Sequence, residues 1–176
     1  MRLASLICLA ALAACQPAPA PDPTPVVCPA LSDDTKSQTG DISLSAMPRA
    51  GPNAPPAMKL TTATGVVFET ELMPGAAEQA TNVNWKMLFG SDVVVTGNPQ
   101  PGAPTVDMHD IVMETVPKEA TQGGFCGAEP TAFIAMATGL EIDGQKMMKI
   151  AAFRDDVWPP ENVSYVCGVF SYSPPG

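Results

Sequence analysis

Asp107-Met108-His109-Asp110, with Met113 just beyond, is the only cluster of potential metal ligands and proton carriers in the chain, and His109 is its sole histidine. On a strand, His109, Ile111 and Met113 share one face while Met108 and Asp110 share the other, so the set converges on one ion only through a bulge. A single His excludes the multi-histidine zinc site within one chain. Copper held by thioether sulfur is the other option for a chain with ten Met, four of them at 108, 113, 147 and 148. Met is far commoner as filler of irregular cores. No metal and no cofactor are expected.

Hydrolysis by a nucleophile needs a base to activate it and a third group to orient that base. Only His109 offers an imidazole, and no Gly-x-Ser-x-Gly elbow occurs. Asp33-Asp34, Asp155-Asp156, or Glu69 with Glu71 could pair as acid and base, which requires carboxyls about 5–10 Å apart; such pairs mostly read as solvated charges. Gly123-Gly124 is followed by no helix and no Lys-Ser or Lys-Thr, which argues against a phosphate-cradling loop. The expectation is a binding module rather than an enzyme. A His109-centred hydrolase or metal-binding protein is the rival, and His109→Ala separates the two, since a binding protein mostly survives that change. The preferred contact surface is Trp158-Pro159-Pro160 with Arg154, a stiff aromatic loop between two expected strands. The alternative is that Trp158 merely covers one end of the core.

Charge and composition narrow the partners. The chain of 176 residues carries a formal net charge of −9, and loss of Arg2 with a leader would make it more negative. Its Lys and Arg are dispersed, apart from Lys146 and Lys149, which argues against nucleic acid. Twenty Pro and 14 Gly punctuate short segments, which disfavours a helical bundle.

Met1-Arg2-Leu3 supplies a positive start, Ala4 to Ala11 an apolar run broken only by Ser5, and Leu12-Ala13-Ala14-Cys15 a small-residue processing site. The run falls well short of the roughly 20 residues of a membrane span. Leu12 to Cys15 resembles the lipobox of bacterial lipoproteins at every position. That resemblance implies a signal peptide over 1–14 and cleavage before Cys15. It also implies a diacylglyceryl group on the Cys15 thiol and usually acylation of the new amino terminus, by palmitate or a similar chain. Two or three such chains, at about 0.8 kcal/mol per buried methylene, hold a protein stably on a membrane. Gln16 in place of Asp after the Cys implies the outer membrane but not which of its faces, and the periplasmic face is the expectation. An ordinary secretory signal with a chance Cys is the alternative.

From Gln16 to Pro25 every second residue is Pro, which suits a polyproline-like stalk of roughly 30 Å. The expected organisation is an acylated Cys and stalk over 15–40, then one β-domain over 41–176. Within that domain Ile42, Leu44 and Ala46 alternate with Ser43 and Ser45. Val66, Phe68, Thr70 and Leu72 alternate with Val67, Glu69 and Glu71, and Trp85, Met87 and Phe89 make a third such face. Val93 to Val95 reads as a strand buried on both faces. A further strand lies near Asp107 to Val116. Thr131 to Ile142 and Gln145 to Phe153 flank Asp143-Gly144, a dipeptide suited to a type I′ hairpin turn. Val163 to Tyr172 closes the chain as a strand. Two alternatives stand beside this reading: Met47 to Met58 as loop throughout, and one helical turn over Gly75 to Gln79. The fold class is therefore all-β, about eight short antiparallel strands in a small barrel or sandwich.

Of five Cys, Cys8 leaves with the signal and Cys15 is acylated. An exported compartment favours a disulfide, and Cys126 with Cys167, both beside Gly in the strand-rich region, is the expected pair. Cys28 is left as a free thiol or as the true partner of one of the two. The expected partners are the membrane, through the acyl chains, and an envelope protein, glycan or lipid. In outline the chain is similar to the lipoprotein inhibitors of lysozyme, which combine an eight-stranded barrel with a disulfide. It lacks the Ser-Gly-x-x-Tyr segment of their membrane-bound members, and Tyr165 and Tyr172 sit in no such context.

Overall fold

The computed structural model describes residues 23–49, 51–95, 100–154 and 165–175. Eight strands form one antiparallel sheet in chain order: β1 Val26–Cys28, β2 Ile42–Met47, β3 Ala57–Thr62, β4 Val67–Leu72, β5 Thr105–Thr115, β6 Phe133–Ile142, β7 Gln145–Phe153 and β8 Val166–Tyr172. Three short helices lie between them: α1 Asp33–Gln38, α2 Ala76–Gln79 and α3 Trp85–Phe89. The alternating patterns hold where they imply a half-buried strand. Val66, Phe68 and Thr70 are buried, and so are Ile42 and Leu60 on the neighbouring strands. The β6–β7 turn is type I′, with Asp143 at φ 52° and Gly144 at φ 75° between the paired residues Ile142 and Gln145.

The sheet curls until its two edges meet. Ala30 bridges Tyr172, Leu31 N–H donates to the Ser171 carbonyl at 2.9 Å, and Ser173 N–H donates to that of Pro29 at 2.8 Å. Beyond this short contact the ladder stops, because Pro174 and Pro175 have no N–H to give. The sheet is thus not closed into a barrel, and the fold is sandwich-like. One core fills its concave side, with Leu60, Phe68, Ile134, Ile150, Phe170 and Tyr172 among its members. A second lies on the opposite side of β5–β8, where α2 and α3 cover Met108, Ala135, Ala151 and Phe153. β6 is consequently buried on both faces over Phe133–Ala137.

Four expectations are corrected here. Trp85, Met87 and Phe89 are helical, not a strand face. The Asn84 side chain caps the helix by accepting from Met87 N–H at 3.0 Å, and Gly90 ends it at φ 73°. Trp85 and Phe89, one turn apart, stack at 5.9 Å, whereas Met87 is 61% exposed and shares no face with them. Val93 to Val95 contributes one isolated bridge, Val94 to Thr105, beside Pro104, rather than a doubly buried strand. The β2–β3 connection is shorter than Met47 to Met58, since both of those residues belong to strands. The folded unit also begins before residue 41: β1 pairs with β2 from Val26, and Thr35 and Thr39 are buried. Ser32 caps α1 by accepting from Thr35 N–H at 3.1 Å, a short polar helix that lacks the apolar spacing by which helices are usually recognised. The helical turn near Gly75 to Gln79 is present as α2.

Candidate functional site

In an antiparallel sheet whose neighbours follow chain order, strand starts and strand ends alternate, so the domain has two distinct ends. One end carries the α1 segment and the β3–β4, β5–β6 and β7–β8 connections. It is plugged. Phe125, from the β5–β6 connection, is fully buried, with its ring 4.7 Å from Phe68 and 4.9 Å from Phe170. Gln38 Nε2 donates to the Phe125 carbonyl at 3.2 Å. Next to it Cys126 and Cys167 stand at disulfide distance, with Cα atoms 5.0 Å apart, as expected from their surroundings in the sequence. Cys28 is free and wholly buried, and burial pushes its thiol up, away from the reactive thiolate.

The other end is open. There a cavity of about 360 Å³ is lined by Val26, Leu44, Ala46, Met58, Pro175 and His109, among others. That volume sits at the lower end of the roughly 300–1,000 Å³ usual for small-molecule sites. A cavity of the same size, lined by Glu78 and Asp107 between β5 and the α2 segment, does not reach His109. His109 is 9% exposed, and its Nδ1 shares a hydrogen bond with Thr70 Oγ1 at 3.2 Å. The ring is therefore oriented by a hydroxyl, not by a carboxylate as in a triad.

A bulge decides what else joins it. Thr70 pairs with Ile111 while Glu69 pairs with Met113, so Val112 is the extra residue. The bulge follows His109 instead of preceding it. Met113 is turned out and 43% exposed, away from the face it was expected to share with His109. Glu114 is turned in, opposite the buried Phe68. Among the described residues no group of three His, Cys, Asp or Glu side chains could hold a metal ion.

Burial lowers the His109 pKa below its usual value, and the nearby Asp107 carboxylate pulls it partly back. The neutral ring thus belongs to the folded state. Its contribution to stability is complete above the unfolded value of 6.5 and is lost as pH falls through the lower folded value. His109→Gln, which keeps a hydrogen-bonding group toward Thr70, is expected to flatten the fall in Tm between pH 7.5 and 5.5. Parallel melting curves for variant and wild type over that range would remove this account.

Glu114 is the polar residue that the sequence did not single out. Its Oε2 accepts from Thr131 N–H at 2.7 Å, while Oε1 and Thr131 Oγ1 are buried with no hydrogen-bond partner among the described residues. Burial pushes the carboxyl up, and the bond from Thr131 opposes this. A raised folded pKa means that stability present at low pH is lost as pH rises through that value. Glu114→Gln should therefore be more stable than wild type at pH 7, by removing a partly buried charge, with the gain shrinking below the usual carboxylate range. Urea titrations at pH 7 and pH 4 measure it. A period-two pattern alone places Glu114 on the outer face, and only knowledge of the bulge would have found it.

Arg154 is exposed, and its guanidinium lies 3.2 Å from the Glu129 carboxylate at the plugged end. Its N–H donates to the Tyr165 carbonyl at 3.1 Å, at the neck of the β7–β8 connection. Trp158 and Cys15 lie outside the described residues. His109 pairs with Ile134 and Ile134 with Ala152, so Arg154 lies two strands from His109 and two residues further along the chain. His109 lines the open-end cavity while Arg154 is turned to Glu129, and no contact joins them among the described residues.

The fold and its open end define an all-β, sandwich-like protein with an apolar cavity, among the described residues, beside its only histidine. Comparison with protein-family models, with curated proteins and with solved structures finds no match.

Proposed function

We propose that this chain is a lipid-anchored envelope lipoprotein whose β-domain binds a ligand or partner and performs no chemistry of its own. Cys15, in Leu12-Ala13-Ala14-Cys15, is the acylated residue, and Gln16 favours placement at the outer membrane; the domain is proposed to face the periplasm. The observation that carries the binding reading is the cavity at the open end, built by side chains from four separate strands together with Pro56 and Pro175. Concave apolar sites with one or two polar groups are how small ligands are held. The surroundings of His109 support the same reading: a hydroxyl partner and a lowered pKa suit a fixed neutral ring better than a proton relay.

The anchor is tested by growing a Gram-negative host that expresses the full chain with an alkyne analogue of palmitate. Label on the wild-type protein, lost in Cys15→Ala together with the protein's place in the membrane fraction, is the expected result. Label that survives the substitution would refute the anchor. The binding reading is tested by crosslinking and capture from envelope extract, with Ala46→Glu at the rim of the open end and Trp158→Ala in the β7–β8 connection as paired variants. Loss on Ala46→Glu alone places the contact at the open end, and loss on Trp158→Ala alone moves it to the plugged end.

A further inference from the structure

We infer that the open end of the sheet is a site for a single acyl chain of a zwitterionic membrane phospholipid. The inference rests on the anchored reading for where the lipid is met, while the chemistry of the cavity stands without it.

The cavity exists because the seam fails to zip at this end. β1 is only three residues long, and Pro174 and Pro175, which run on from β8, have no N–H to continue the ladder. Leu44 and Met58 are left only partly buried against the first core, and Val26 is 42% exposed. At the plugged end Phe125 covers the equivalent interior, but here nothing among the described residues does so. An apolar surface of this kind gains most from an apolar occupant. His109 and Ser45 are the polar side chains in its lining. With Nδ1 engaged by Thr70, the imidazole leaves Nε2 as the nitrogen available to an ester oxygen at the end of a hydrocarbon chain.

Position favours a membrane lipid as the source. The chain enters the sheet at this same end, since β1 starts at Val26, and Pro23 to Pro25 line a cleft with Ser45 to Pro48 at the end of β2 and with Lys59 and Thr61 of β3. Val26 follows Cys15 by eleven residues, which even fully extended reach at most about 40 Å from an anchor at Cys15. Charge selects the headgroup. The chain carries a net charge of −9, and Asp107, although it lines the neighbouring cavity, is close enough to act electrostatically on His109. That field opposes the carboxylate of a free fatty acid and favours a headgroup that carries an ammonium.

The test uses the full chain as Cys15→Ser, exported without acylation and purified without detergent, so that failure of the anchor and failure of the site are read separately. Palmitoyl-lysophosphatidylethanolamine is titrated by calorimetry, with palmitate as the competing probe. One saturable site for the lysophospholipid is expected, weakened at least about tenfold by Leu44→Glu and by Ala46→Glu, because either buries an unpaired charge against the chain. Ala46 is exposed, so its variant folds even where Leu44→Glu does not. Val112→Glu, on the exposed bulge, is expected to bind as wild type. No saturable binding by the folded chain, or binding indifferent to Ala46→Glu, overturns the site. Tighter binding of palmitate than of the lysophospholipid overturns the membrane lipid as its ligand.

Discussion

Replacing both Cys126 and Cys167 by Ser is expected to lower the stability of the domain by about 4 kcal/mol in the chain-entropy model, one of the two largest losses anticipated for this protein. The two residues are 41 apart in sequence and tie the β5–β6 connection to β8, so opening the bond frees a long loop in the unfolded chain. Strain or residual structure brings many such losses down to about 2 kcal/mol. Urea unfolding of the oxidised protein and the double variant measures the difference, and reduction of the wild type should reproduce it. A difference below about 1 kcal/mol would mean that the connection is held by packing alone.

Phe125→Ala is the second large effect, at about 3–5 kcal/mol for a fully buried aromatic. The ring meets both Phe68 and Phe170 and lies beneath a bond from Gln38, so its removal leaves a cavity that three elements border. Hydrogen exchange should then quicken in α1 and across the β5–β6 connection while β6 and β7 stay protected. Exchange that quickens equally in every strand would show that the plug is not a separate unit. Because Phe125 adjoins Cys126, the two losses should not add. Met87→Ala, on the exposed side of α3, serves as the comparison and should stay within about 0.5 kcal/mol of wild type.

What the sequence displays and what it hides divide along the range of the interactions. The Asp143-Gly144 turn needs only its own two residues to adopt positive φ, and the strands on either side alternate or run apolar according to burial that each one reports locally. The disulfide partners were legible because both lie among short strands near Gly. Trp85-Lys86-Met87-Leu88-Phe89 misled because apolar residues at every second position also place two of them one helical turn apart. The cap formed by Asn84 and the stop at Gly90 were the signals that separate the two cases. Val26 to Cys28 hid beside the Pro-rich stretch, since three residues are too few to show a period. The open end was invisible altogether. It is assembled from residues at 26, 44, 58, 109 and 175, and only the register of the sheet brings them together. Glu114 was hidden by a single unpaired residue at Val112.

The prolines at the seam also govern how two copies meet. β1 carries exposed Val26 and Val27 on a sheet edge, an arrangement that invites strand addition by another chain and then growth into aggregates. Pro25 and Pro29 bracket that edge, and Pro174 with Pro175 stands across from it, so neither side offers an incoming strand a continuous row of donors. Crowded copies are then expected to resist edge-to-edge polymerisation.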